Sequence, residues 1–324
     1  MQKKIIRLNY LLLGRICRVL AILIISLASV SQADLTNKIT DHQQWIETNG
    51  LGSVISGQVN LANSSKYHGI LVTVNSEGER ITLINNLEAW VQDKEGVQFP
   101  LSSNHYAKSV VFPEGQKYLT QFESYPWPKW TWVLPNGIKI ERELVFLFST
   151  DQVVVRYRSL SPSKQFKIKL RPLASSRSFF HVCRDYGSIA LTATEKTSSP
   201  TGFEKVRFQP YFNMPSFSLH HNGKWIDQNL WFYNQIYSQN SVRYEDDTEH
   251  LWSPGEIEYS LSDQSPTADL VLETDPSPQN ANRFFLPAIN SNPVDQALAQ
   301  ERARRDQINA RIFSNDKRIK ALAF

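Results

Sequence analysis

"KWTWVLPNGIKIERELVFLF", residues 129–148, carries the reading of the fold. Trp130, Trp132 and Leu134 fall on alternate positions, so in an extended chain they share one face. Asn136-Gly137 then supplies a dipeptide suited to a tight hairpin turn. The run that follows, "IKIERELVFLF", is again strand-like in composition. The segment therefore predicts two antiparallel strands.

The same grammar extends in both directions. "GILVTVN", the turn "SEGE" and "RITLIN" form one pair, and "LEAWVQD", "KEG" and "VQFPLS" another. "QVVVRYRSL", "QFKIKLRPL", "SIALTAT" and "FEKVRFQPY" continue it, with Phe166, Ile168 and Leu170 on one face. No segment before residue 290 carries a helical period. From Gly69 to about Thr274 the chain thus reads as all-β, a large antiparallel β-sandwich, and the domain is drawn over residues 34–274.

Residues 275–292, "DPSPQNANRFFLPAINSN", read as a linker. Residues 293–324 read as helical. Asn292 is placed to cap a helix with Pro293 at its first position, and Val294, Ala297, Leu298, Ile308 and Ile312 form an apolar stripe. Glu301, Arg302, Arg304, Arg305 and Asp306 are expected around that stripe, and "NDKRIKALAF" starts a further helix. Two readings stand: a short helix packed on the sandwich, or the opening of an α-domain. The change of grammar implies a stable body over residues 34–290 and a loosely held tail.

With 324 residues, 41% hydrophobic and 20% charged, the chain can bury an ordinary core. The sequence pI near 8.9 misleads. Residues 1–33 hold Lys3, Lys4, Arg7, Arg15 and Arg18 and no acid; without them 30 basic face 31 acidic residues, which gives no reason to expect a nucleic-acid partner. That first segment reads as a signal peptide: a basic stretch, the 12-residue apolar run "VLAILIISLASV", then Ser31 and Ala33 at the positions a signal peptidase reads. Cleavage after Ala33 would make the protein periplasmic or secreted; the alternative is an uncleaved membrane anchor using Tyr10–Gly14 as extra apolar length. Cleavage would leave Cys183 alone, to be read as a reactive thiol or as a small buried hydrophobe.

No nucleotide-binding, nucleophile-elbow or metalloprotease motif occurs, and the histidines are scattered, so no cofactor and no metal are expected. His220 and His221 are adjacent, which on a strand points them to opposite faces. "YPWPKWTW", residues 125–132, is the densest aromatic cluster; sugar rings stack on exposed aromatic faces, and Trp127, between two prolines, is the best candidate for exposure. "VRYEDDTEHLWSPGEIEY", residues 242–259, gathers Glu245, Asp246, Asp247 and Glu249, carboxylates of the kind glycoside hydrolysis uses in pairs, or else a solvated cluster beside Arg243. Asn49, Gly50, Leu51 and Gly52 make a turn, and Lys66, Tyr67 and His68 precede a strand. Such a loop lines a polar, sugar-sized pocket or forms a buried network bracing the sheet.

Several blocks occur together in order: "WIETNGLGSVISGQVNLANSSKYHGILV", "VFPEGQKYLTQF", "YPWPKWTW", "GIKIERELVF", "VVVRYRSL", "LRPLASSRSFF", "WFYNQIY" and "LWSPGEIEY". From about residue 43 onward this resembles the N-terminal domain of bacterial and archaeal glycogen debranching enzymes, the amylo-α-1,6-glucosidase type. The resemblance implies a β-sandwich of the supersandwich kind, placed in that family before an (α/α)₆ barrel that carries the catalytic acids. It also makes the tail look like the connector and first helical segment of such a barrel. Ser65 before Lys66, His250 in place of an acid, and the signal segment depart from the family pattern, while Arg243, Asp246 and Glu249 stand in matching places.

The implied function is an exported domain that binds α-glucan or maltodextrin and has no catalytic residue of its own. The rival readings are the non-catalytic half of a split or truncated amylo-α-1,6-glucosidase, partnered by a separately encoded (α/α)₆ catalytic domain, and a structural or interaction module without sugar binding. The candidate substrate-binding residues are Asn49, Lys66, Tyr67, His68, Trp127, Arg243, Asp246 and Glu249. Of these, Lys66, Tyr67, His68 and Trp127 are expected to carry sugar affinity.

Overall fold

Alternation along the Lys129–Val133 and Lys139–Phe146 strands turns Trp130, Trp132, Ile140 and Leu144 toward one core, and the two strands pair antiparallel across Asn136-Gly137. The turn closes with Leu134 N–H on the Ile138 carbonyl at 2.9 Å. A computed structural model describes residues 43–161, 163–184, 193–199, 202–274 and 292–311. The targeting segment 1–33, residues 275–291 of the linker, Ile312, "NDKRIKALAF" and most of "SIALTAT" lie outside the described residues.

Two eight-stranded antiparallel sheets make the body among the described residues. The first runs Leu71–Val74, Arg80–Asp93, Phe166–Ser178, Thr248–Leu261, Lys224–Ile236, Ser103–Tyr106 and Val110–Glu114, with Gln98–Pro100 beside Arg80–Asp93. The second runs Glu195–Ser198, Glu204–Phe208, Phe217–His221, Thr267–Thr274, Gln152–Ser159, Lys139–Phe146, Lys129–Val133 and Leu119–Glu123. One apolar core lies between them, joining Ile168, Leu170, Trp252 and Ile257 of the first sheet to Trp130, Trp132, Val155 and Leu272 of the second. The sandwich and the Phe166, Ile168, Leu170 face are as the sequence implies.

Two strands precede the first strand read from the sequence at Gly69. Gln44–Thr48 pairs antiparallel with Val54–Gln58, and the turn between them needs φ +76° at Gly50 and +97° at Gly52, a region open to glycine at little cost. Ser56 then bridges Gly69, which ties this hairpin to the entry of the first sheet.

The runs "ELVFLF", "QVVVRY" and "ADLVLET" are apolar at nearly every position because the second sheet is buried on both faces there. Leu144, Val153, Val155, Leu270 and Leu272 face the sandwich. Val145, Val154 and Val271 face outward, under the helix Pro293–Asn309, where they form a second core with Trp127, Val294 and Leu298.

The helix begins as expected, with the Asn292 side chain accepting from Val294 N–H at 2.9 Å and Pro293 in the first turn. Its N-terminal end is tied to the sheet: Arg156 grips Asp269 at 2.6 and 2.9 Å and reaches Asp295 at 2.6 Å, while Asn292 donates to Asp269 at 2.8 Å. The expected loose tail is corrected for residues 292–311. Positions 294, 298, 301, 305 and 309 share one helix face, and that face is buried. Glu301 and Arg305, expected around the apolar stripe, are therefore inside. Arg305 meets Glu47 at 2.5 and 3.0 Å, Glu301 at 2.7 Å and the Pro126 carbonyl at 2.5 Å. Burial raises the Glu47 carboxyl pKa, and Arg305 opposes that rise.

Removing one partner from a buried ion pair leaves the other desolvated and alone. Arg305→Met is expected to destabilise the protein by about 3 kcal/mol and to open residues 292–311 to protease. Urea denaturation and limited proteolysis check this; an unchanged midpoint with a protected helix is the contrary result.

Candidate functional site

The Ser64–His68 loop enters the first sheet, and two distant segments hold it. Gln239 N–H donates to the Ser64 carbonyl at 2.8 Å, Lys66 N–H to Asn240 Oδ1 at 2.8 Å, and Arg177 Nη2 to the Lys66 carbonyl at 2.7 Å. The helix Ser238–Val242, absent from the sequence reading, is what brings Gln239 and Asn240 to the loop. At five residues it is too short to show a period.

Beneath the loop lies Glu249, fully buried. Its carboxylate accepts from Arg177 Nε and, at 3.2 Å, from Arg177 Nη2. It also accepts from Cys183 N–H at 2.7 Å, from Asn85 Nδ2 at 3.3 Å and from the Tyr237 hydroxyl. Burial raises the Tyr237 phenol well above its usual range, so it stays a donor. Burial works against the charge on Arg177, but Glu249 outweighs it and the guanidinium pKa rises. A carboxylate so surrounded cannot reach a substrate, so its place is that of a brace. Cys183 is buried beside it, as the hydrophobe reading has it.

The other predicted site residues separate. Lys66 is buried, and its ammonium lies 3.3 Å from Glu245. His68 is buried too: its Nδ1 accepts from Ser64 N–H at 3.3 Å, and burial lowers its pKa to about 4, which keeps it neutral. Asn49 is buried and donates to the Thr150 carbonyl at 2.7 Å and Asp151 at 3.2 Å, while accepting from Leu51 N–H at 2.9 Å; it secures its own hairpin turn. Trp127, expected on the surface, is 5% exposed, because the C-terminal helix covers it and its indole donates to Glu143 at 3.1 Å. Only Tyr67, Arg243 and Asp246 of the eight meet solvent.

Tyr67 belongs to an aromatic edge. Its ring lies 5.3 Å from Phe179 and 6.3 Å from Phe180, the latter 61% exposed. Its hydroxyl donates to Glu245 at 3.1 Å. Asn240 donates to the same carboxylate at 2.7 Å, and that bond, then those from Lys66 and Tyr67, holds Glu245 below the usual carboxylate range. Arg243 lines a cavity of about 610 Å³ whose other polar walls are Gln58, Asn60, Ser64, His105, Gln116, Ser238 and Gln239. Three glutamines, Gln58, Gln116 and Gln239, from three separate segments give no local sequence signal.

One further carboxylate pair lies in the first sheet. Arg171 stands between Glu88, at 3.4 Å, and Glu256, at 3.1 Å, and stacks over Trp90 at 4.8 Å. Burial raises the Glu88 pKa to about 7, with Arg171 opposing. The guanidinium occupies the space between the two acids, which leaves no room for a glycosidic bond. Among the described residues no cluster of histidine, cysteine and acidic side chains is arranged to hold a metal.

A family model described as glycogen debranching enzyme N terminal matches residues 43–267. No curated protein sequence matches. Among solved structures, a bacterial glucoamylase complexed with acarbose aligns with a TM-score of 0.43 and 9% identity, covering 82% of this chain and 38% of that one. The chain thus spans well under half the length of that protein.

Two predictions follow from this geometry. Glu249→Gln should cost about 3–5 kcal/mol by urea denaturation, since Arg177 is left buried without its charge partner, whereas Asp246→Asn on the surface should stay within about 0.5 kcal/mol. Equal effects from the two would contradict the assignment of Glu249 to the interior.

Glu88 binds its proton more tightly in the folded state than at its ordinary value of 4.5, so its contribution to stability is full below pH 4.5 and is lost as pH rises through about 7. Glu88→Gln should flatten the stability profile between pH 5 and 7 and gain on the order of 2 kcal/mol over the parent at pH 8. Parallel profiles for the two proteins would refute this.

Proposed function

We propose, because the chain belongs to the glycogen debranching enzyme N-terminal family, that it is a non-catalytic domain that binds α-glucan or maltodextrin. Its export is part of the same proposal and rests on the basic and apolar character of residues 1–33.

The observation that carries the non-catalytic half is the fate of the acids in the 245–249 stretch. Hydrolysis with inversion or retention needs two carboxyl groups free to face one scissile bond. Glu249 is enclosed by donors, Glu245 is held by Lys66, Tyr67 and Asn240, and Asp247 is held by Ser241 at 2.5 Å and Thr248 at 2.8 Å. Asp246 alone of the four has no such assignment, and a single carboxylate does not make the pair.

Binding is supported by the surface beside those acids. The Tyr67, Phe179 and Phe180 rings offer apolar faces on which the C–H faces of a pyranose can stack, with the Glu245 carboxylate and the Tyr67 hydroxyl at their margin. This replaces the expected platform at Trp127, which is in the second core.

Titration of the purified protein with maltoheptaose and glycogen, together with a glucose assay on a limit dextrin, tests both halves. Saturable binding without glucose release is expected. Glucose release that disappears in Asp246→Asn would overturn the non-catalytic reading, and lack of binding to every α-glucan would overturn the binding one.

A further inference from the structure

Neighbouring residues of a strand point to opposite faces, so His250 turns away from the side of the sheet on which Glu249 meets Arg177. The pairing opposite His250 is irregular. Phe232 faces Leu251 and Gln235 faces Glu249, so Tyr233 and Asn234 together oppose His250, a bulge of one residue. Asn234 has φ +60°, in the left-handed region that asparagine enters more readily than most residues. That turn aims its N–H at His250 Nδ1, 3.2 Å away. A ring nitrogen that accepts bears no proton, so the proton of the neutral imidazole is on Nε2. Bulges re-aim side chains, and backbone held in a sparsely populated region is concentrated at functional sites.

The bulge lies within a group of rings. The Tyr233 and Trp231 rings stand 6.2 Å apart with their planes 23° from parallel, and the His250 ring meets Tyr233 edge-on at 5.0 Å. Tyr233 is 48% exposed, while Trp231 is half-buried against the core. The Trp231 indole N–H and the His250 Nε2 find no hydrogen-bond partner among the described residues, and neither atom is enclosed; both reach the surface. A ligand can therefore touch an exposed ring and two ring N–H donors at once. No ion pair involves His250, and neither it nor Trp231 is hydrogen-bonded to a charged side chain among the described residues, so no fixed charge is built into the pair. A purely hydrocarbon partner would strip water from both donors and return nothing, which is costly. A pyranose matches better, since its C–H face suits a ring and its hydroxyl oxygens accept from N–H groups.

We infer that the Trp231, Tyr233 and His250 surface is a second saccharide subsite, where a glucose unit of the glucan stacks on Tyr233 and accepts from Trp231 Nε1 and His250 Nε2. The inference rests on the α-glucan reading above and adds to it a place and its contacts. The subsite is separate from the aromatic edge at Tyr67. The stretch that carries Phe179 and Phe180 runs on to Cys183, whose N–H meets Glu249 on one face of the strand and whose carbonyl accepts from His250 N–H at 2.9 Å. Two subsites on one chain make the second contact of a long glucan intramolecular, which raises its affinity above that of a short oligosaccharide held at one.

Titration of the purified protein with maltotriose, followed through the indole N–H signals in NMR, tests the assignment; Trp231→Phe identifies the Trp231 signal by its loss. That signal should shift saturably with maltotriose, and it should still do so in Phe180→Ala, which alters only the other surface. Tyr233→Ala should abolish the shift and weaken glycogen binding about tenfold or more. Should Tyr233→Ala fail to fold, the titration of the parent protein decides alone. A Trp231 signal that stays still while maltotriose binds would overturn the subsite and leave the α-glucan reading standing, as would full glycogen affinity in a folded Tyr233→Ala. If the parent protein binds neither maltotriose nor glycogen, the α-glucan reading fails and the subsite with it. A shift produced by cellotriose at lower concentrations than by maltotriose would overturn the assignment of the subsite to an α-linked glucan.

Discussion

The contact between Arg177 and Glu249 sets the geometry on which the entry to the first sheet depends. Both side chains are buried, and two charges taken out of water are tolerated only when each finds partners. Glu249 satisfies this with Arg177, Tyr237, Asn85 and the backbone of Cys183. Arg177 satisfies it with Glu249 and with the carbonyl of Lys66. The Lys66–His68 loop therefore cannot move without exposing or orphaning a charge. The short helix that supplies Asn240 and Gln239 is locked to that loop, and both the amide-lined cavity and the aromatic edge are placed by it. Recognition surfaces are more exact when they rest on a shell that cannot relax.

A second buried pair does comparable work under the helix Pro293–Asn309. Arg305 closes on Glu47 and Glu301, and in doing so lays a helix over strands that would otherwise show valines to water. The polar contact sets where the helix sits, and the apolar contact under Val294 and Leu298 supplies area. The first hairpin is drawn in as well, because Glu47 lies on it.

What the sequence disclosed was local. Trp130, Trp132 and Leu134 alternate within five residues, Asn136-Gly137 is a turn in itself, and the Asn292 cap acts two residues away on Val294. These features depend on neighbours in the chain, and the structure carries them as read. The misplacements involve partners far away in sequence. Arg305 meets Glu47 across 258 positions and Arg177 meets Glu249 across 72, distances at which no pattern of charges betrays a pair. Trp127 between prolines resembles an exposed loop residue until the helix that covers it is in place. Glu249 left one faint signal: it alternates with Leu251 along a strand whose inward side is buried, while Asp246 precedes that strand. The family resemblance was legible because eight blocks in order are specific even when each is weak alone.

The most direct test is a double-mutant cycle on Arg177→Met and Glu249→Leu, followed by urea denaturation. If the pair organises the loop, each single change leaves a buried charge unmatched and costs several kcal/mol, whereas the double change costs much less than their sum, a coupling of about 2 kcal/mol or more. Additive effects, with coupling below about 0.5 kcal/mol, would contradict the account.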